Sequence, residues 1–131
     1  MAIATGTFNV TSMGEETVEK LEGGGKLTRA GGTQTFAGDI EGDGSVEWLM
    51  CYLPSGSARF LGLQRITGTI VERTGSIVIE AVGDHDGKES KGTWKVIPRW
   101  GTGELSGITG RGTFEAPGGP GGSYSLEYWL A

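Results

Sequence analysis

Glu80 is the carboxylate in this chain best placed for proton chemistry. On an alternating stretch it shares a strand face with Val78 and Val82, and burial between such neighbours disfavours the ionised form and lifts a carboxyl toward the range useful for proton transfer. Tyr52, on one face with Val46, Trp48 and Met50, is the second candidate catalytic group. Gln64 stands between Phe60 and Ile66 on an apolar face, Arg65 points to the opposite face, Arg29 falls inside a β-rich run and Arg99 precedes Trp100. A polar or charged side chain on an apolar strand face is costly unless it is paired. Such a face is therefore either outside, with Glu80 and Arg29 as surface partners, or it serves a site. The functional reading is a lumen walled by Trp48, Phe60 and Trp94, with Tyr52, Gln64, Arg65 and Glu80 as lining candidates and Arg29 and Arg99 near an opening. Gln64 and Arg65 are adjacent, so only one of them faces inward on a regular strand. If Arg29 or Arg65 lies against Glu80, the pair becomes a structural ion bridge instead of an acid.

Other chemistry-bearing motifs reduce to structure. Asp39-x-Glu41-x-Asp43-Gly44 opens like a calcium loop, but Met50 occupies the twelfth position, where a bidentate carboxylate is required. Gly101-Thr102-Gly103-Glu104-Leu105-Ser106-Gly107 has neither the dinucleotide nor the Walker spacing and leads into no helix, so it reads as a strand bend with positive φ. His85, the sole histidine, sits between Asp84 and Asp86 in a turn signal and is expected in solvent; one histidine cannot build a structural zinc site. Cys51 shares a face with Leu49 and Leu53 and is expected as a buried, inert thiol. No metal and no cofactor are expected.

The elements that must position these residues are strands. Of 131 residues 26 are glycine, about three times the usual share of roughly 7%. The glycines punctuate alternating runs, several of which open alike: Gly6-Thr7-Phe8, Gly68-Thr69-Ile70, Gly92-Thr93-Trp94 and Gly112-Thr113-Phe114. Eight strands are predicted: 3–12, 26–38, 45–53, 57–72, 76–83, 89–98, a bent element over 103–114, and 123–131. Asp86-Gly87 marks a hairpin. The acidic stretch Gly14 to Glu22 is predicted as an exposed loop. One domain over residues 1–131 follows from the length. Eight antiparallel strands can close into a barrel wide enough for a packed core or one small ligand, and closure hides the sheet edges. An open two-sheet sandwich is the alternative.

With 11 Lys and Arg against 16 Asp and Glu, the net charge of -5 argues against nucleic acid as a partner. No apolar run approaches a membrane span. A single cysteine makes no internal disulfide, and Met1 to Gly6 carries neither the basic nor the apolar region of a leader. The expected setting is the cytoplasm.

The succession Lys26-Leu27-Thr28-Arg29-Ala30, Phe36-Ala37-Gly38-Asp39-Ile40-Glu41-Gly42, Leu63-Gln64-Arg65-Ile66-Thr67-Gly68-Thr69, Gly75-Ser76 and Gly101-Thr102-Gly103-Glu104-Leu105-Ser106-Gly107, ending in Tyr124-Ser125-Leu126-Glu127-Tyr128, resembles the bacterial DUF3224 family over essentially the whole chain. The resemblance implies an allene oxide cyclase-like, eight-stranded barrel, with lipocalin-like closure, and no established reaction. The family pattern commonly carries glutamate where this chain has Gln64, and a small Gly-Ser pair where it has Arg99-Trp100. Two functional classes follow. In the first, the barrel encloses a small, mostly apolar organic ligand and carries out a cyclisation or isomerisation with few polar groups. In the second, a filled barrel is a non-enzymatic interaction module, a homodimer through outward aromatics such as Trp100 and Trp129.

Overall fold

Strands of thirteen alternating residues bury one face only if the sheet curls onto itself. The computed structural model describes residues 1–130 and contains nine strands: β1 (Ala2–Lys20), β2 (Lys26–Gly38), β3 (Ile40–Tyr52), β4 (Ala58–Ile70), β5 (Arg73–His85), β6 (Ser90–Val96), β7 (Thr102–Gly103), β8 (Thr109–Ala116) and β9 (Gly121–Trp129). Each strand pairs antiparallel with its neighbour in the order β4-β3-β2-β1-β9-β8-β6-β5, and β5 returns to β4 to close an eight-stranded meander barrel. The last strand seals against the first, from Ala2 opposite Tyr128 to Asn9 opposite Gly121. β7 is a two-residue extra pairing with Gly75 and Ser76 of β5. No helix is long and apolar enough to cross a membrane.

The two ends of the barrel differ. One is packed solid by Ile40, Ile70, Ile77, Val96 and Leu126, all at most 2% exposed. The connection after β6 returns across this end and inserts Leu105 and Ile108, 1% and 0% exposed. Each such side chain contributes roughly 1.5–3 kcal/mol by leaving water. The predicted bend at Gly101 to Gly107 is thus the plug of the closed end, with Gly103 and Gly107 at φ 60° and 84°.

A simple rule accounts for much of the glycine. Eight inward aromatics each stand directly opposite a glycine on an adjacent strand: Phe8 opposite Gly122, Phe36 opposite Gly42, Trp48 opposite Gly62, Phe60 opposite Gly83, Trp94 opposite Gly112, Phe114 opposite Gly92, Tyr124 opposite Gly6 and Tyr128 opposite Gly110. An eight-stranded bore is too narrow for two rings side by side everywhere, so large and small residues alternate around it. In four of these pairs the ring lies across the vacated position: Tyr124 over Gly6, Trp48 over Gly62, Phe60 over Gly83 and Phe8 over Gly122, so that a Cβ on Gly83 would stand 2.7 Å from the Phe60 ring and one on Gly62 2.6 Å from Trp48.

The structure corrects several boundaries. The acidic stretch is not a loop: β1 runs on to Lys20, and between register shifts at Val10/Ser12 and Thr17/Glu19 it pairs Glu15 with Ala30, Glu16 with Arg29 and Thr17 with Thr28. Its side chains are exposed, so charge costs little there and the polar composition hides the strand. β3 starts at Ile40, which places the calcium-like carboxylates Glu41 and Asp43 outward on a strand. The bent element splits into β7 and β8. The final strand reaches Trp129; Ala131, included in the expectation, lies outside the described residues. Cys51 is exposed, not buried, because β3 turns its even-numbered residues inward.

Candidate functional site

Above the packed end the interior opens into a half-open cavity of about 300 Å³. Its walls are Phe8, Trp48, Met50, Phe60, Trp94 and Phe114. Trp48 and Phe60 meet edge-to-face with centroids 5.0 Å apart, Phe114 lies 6.1 Å from both Phe60 and Trp94, and Trp94 stacks on Tyr124 at 5.5 Å. Ring pairs of this kind hold one another in place, each by about 0.5–1.5 kcal/mol beyond area burial.

Two amides meet in this apolar wall. Gln34 of β2 and Gln64 of β4 are 4% and 3% exposed and belong to strands separated by β3. Gln34 lies opposite Gly44, and Gln64 opposite Val46; with no side chain at Gly44, the two glutamines reach over β3 to one another. Gln64 Nε2 donates to Gln34 Oε1 at 2.6 Å. Gln64 Oε1 is buried and has no hydrogen-bond partner.

The mouth is polar. Glu15 Oε2 accepts from Thr28 Oγ1 at 2.7 Å and from the Tyr52 hydroxyl at 2.8 Å. Partial burial, then the hydrogen bond to Glu15 and the charge of that carboxylate, push the Tyr52 phenol up to about 12, so Tyr52 remains a hydrogen-bond donor across the physiological range. Lys26 Nζ stands 5.2 Å from the centroid of the Tyr52 ring. On the other side His85 Nδ1 and Ser90 Oγ are 2.8 Å apart. The titratable groups lining the cavity are Glu15, Tyr52 and His85.

Of the residues expected from sequence, the structure gathers Trp48, Tyr52, Phe60, Gln64 and Trp94 at this cavity. It does not bring Glu80, Arg65, Arg29 or Arg99 there. Glu80 is exposed on the outer wall, opposite Leu63 and Lys95. β5 turns Ile77, Ile79 and Ala81 inward, so the valines beside Glu80 are outer-wall residues and bury nothing around it. The ion bridge to Arg29 or Arg65 is absent as well: Arg29 approaches Glu16 at 3.8 Å, and Arg65 Nη2 donates to Ser76 Oγ at 3.3 Å. Arg65 points outward because its neighbour Gln64 points in. Arg99 is exposed, at φ 75°, in the connection at the closed end. His85 is half-buried at the mouth and not simply solvated. Three site residues escaped the sequence reading. Gln34 was findable, since it shares the face of Thr28, Ala30 and Phe36. Glu15 was hidden by the acidic run around it, and Ser90 carried no signal. Among the described residues no group of three or more His, Cys, Asp or Glu is arranged to hold a metal ion.

A closed eight-stranded meander, packed at one end and opened into an aromatic cavity at the other, places the protein among the small barrels with an interior large enough for one compact guest. Its sequence narrows this further. The chain belongs to the DUF3224 family, described as "Protein of unknown function (DUF3224)", which it matches over residues 4–128. The crystal structure of a protein with unknown function from the DUF3224 family of Shewanella oneidensis MR-1 is similar throughout: 27% identity, 100% of this chain and 98% of that chain covered, TM-score 0.84. No curated protein matches the sequence.

Proposed function

We propose that this protein encloses a small, mostly apolar organic ligand in the half-open end of its barrel, and that the chemistry it performs there is a cyclisation or isomerisation. One observation carries the reading: a cavity of about 300 Å³ stays open among mostly apolar side chains while the other end of the same barrel is filled. That volume lies at the lower end of ligand sites, roughly 300–1,000 Å³, and holds about ten waters' worth of liquid. Reactions of this class need a substrate held in one reactive conformation more than they need a set of catalytic groups, and fixed rings supply such a mould. Glu15 and His85 are the acid–base side chains at its mouth, with the Tyr52 hydroxyl as a fixed hydrogen-bond donor beside them. The cytoplasmic setting expected from the sequence belongs to the same proposal. Native mass spectrometry of protein purified from its own host tests it: a retained organic mass, released on denaturation, is expected. A chain that always emerges bare, and that takes up no apolar probe, would sink the reading.

A second reading rests on the outer wall. Leu49, Leu61 and Leu63 are 54%, 53% and 54% exposed, and Leu49 and Leu61 are direct cross-strand partners. A homodimer through this face would cover them. Trp100 and Trp129, the aromatics expected at such an interface, are also exposed but lie apart from these leucines. Sedimentation that shows only monomer up to high concentration would remove this reading.

A further inference from the structure

Building on the ligand-binding reading above, we infer that the ligand is a neutral ring compound with a hydroxyl or ring N–H at its leading end, which it donates to Gln64 Oε1. Gln64 is 3% exposed, and its carbonyl oxygen is buried without a partner. Buried side-chain acceptors in folded proteins nearly always have one, and an unmade hydrogen bond in apolar surroundings is destabilising. The short bond from Gln64 Nε2 to Gln34 Oε1 fixes the amide, and its oxygen finds no partner within the protein. Leucine at both positions would fill the space without any polar group. The amide pair is therefore poorly explained as packing and well explained as a receptor for a donor brought from outside.

Charge narrows the class. No Lys or Arg lines the cavity, and Glu15 carries its carboxylate at the mouth. An anionic head would thus enter past a like charge and lie among apolar walls with no Lys or Arg beside it, which is disfavoured. Shape narrows it again. The walls are ring faces and edges around a space of about 300 Å³, which suits one or two fused rings better than a long flexible chain, whose ordering would cost more.

The test uses three probes of one size on the intact protein, titrated by calorimetry. 2-Naphthol offers a hydroxyl donor, 2-methylnaphthalene replaces that hydroxyl with a methyl, and 1-tetralone offers only a carbonyl acceptor. The expected result is 2-naphthol at least tenfold tighter than 2-methylnaphthalene, although the methyl compound is the more apolar. That preference should vanish in Gln64→Leu. It should also vanish in the double variant Gln34→Leu/Gln64→Leu, which leaves no amide unpaired and guards against a single variant that fails to fold. Equal binding of 2-naphthol and 2-methylnaphthalene to the unsubstituted protein would overturn the donor inference and leave the ligand-binding reading standing. Preference for 1-tetralone would overturn it differently, because the buried amide would then present N–H to the ligand. Binding of none of the three would bring down both.

Discussion

The amide pair lends itself to a double-mutant cycle. Gln64→Leu removes the donor to Gln34 Oε1 at 2.6 Å and leaves Gln34, 4% exposed, with a buried amide facing apolar neighbours. Gln34→Leu does the converse and adds a second orphan to Gln64, whose Oε1 already lacks a partner. Each single variant should therefore lose about 1–3 kcal/mol, the cost of a buried polar group without a partner. The double variant removes both amides and gains two apolar side chains of similar volume. It should lie within about 1 kcal/mol of the parent or above it, so the two changes should differ from additivity by about 1 kcal/mol or more. Urea unfolding followed by tryptophan fluorescence reads this, provided that the slope of free energy against denaturant is unchanged. A double variant destabilised by the sum of the singles would refute the reasoning. The amides would then be independent contributors to the fold, and nothing about them would point to a guest.

Three further predictions follow from the geometry. The Tyr52 proton is held more tightly in the folded state, at about 12 against an ordinary 10, through burial first and the Glu15 carboxylate second, so the associated stability is complete below pH 10 and is lost as pH rises from 10 to 12; Tyr52→Phe should unfold with a shallower pH dependence in that window, and identical slopes would contradict the raised phenol. The Tyr124 hydroxyl accepts from Ile40 N–H at 2.8 Å and donates to Ala37 O at 2.9 Å, and Ile40 is 0% exposed. Tyr124→Phe should cost about 1–3 kcal/mol, which for 131 residues lowers Tm by about 4–11 °C; calorimetry showing no shift would mean that another group satisfies that N–H. Glu80→Gln should change neither stability, beyond about 0.5 kcal/mol, nor the affinity for 2-naphthol, because Glu80 stands on the outer wall; a loss of affinity would show that the outer face communicates with the cavity.

The barrel was legible because alternation is local. Val46, Trp48, Met50 and Tyr52 share a face whatever the tertiary structure does, and Phe60, Gln64 and Ile66 do likewise. Which face points inward is a global property, set by closure. For β5 the two faces look nearly equal in sequence, with Val78 and Val82 on one and Ile77, Ile79 and Ala81 on the other, so the residues alone leave Glu80 either outside or at a site, and closure puts it outside. β1 shows a different limit. Its second half pairs with β2 alone, so it needs no apolar face, and the resulting run of glutamates resembles a loop. Glu15 reaches the cavity because the register shift between Val10 and Ser12 turns the odd-numbered residues after it toward the interior, and such a shift leaves no mark in residue type. Gln34 was passed over for a plainer reason. A single glutamine becomes informative only once its partner on a non-adjacent strand is known.

The pairing of each inward ring with a glycine bears on how this barrel changes over evolutionary time. At Gly83 an added methyl would meet both the Phe60 ring and the carbonyl oxygen of Lys91, each at 2.7 Å. It could be accommodated only if the ring shrank and the strands also spread. The glycine is therefore held bare by the ring and the backbone together, and the ring keeps its size only while its neighbour is bare. The shape of the bore is thus expected to change in coupled steps, with Phe60 and Gly83, or Trp48 and Gly62, exchanged together among relatives, while outward positions such as Glu80 and Lys95 vary freely. The bore of the barrel is recorded in these pairs, and half of that record is written in residues with no side chain to touch a ligand.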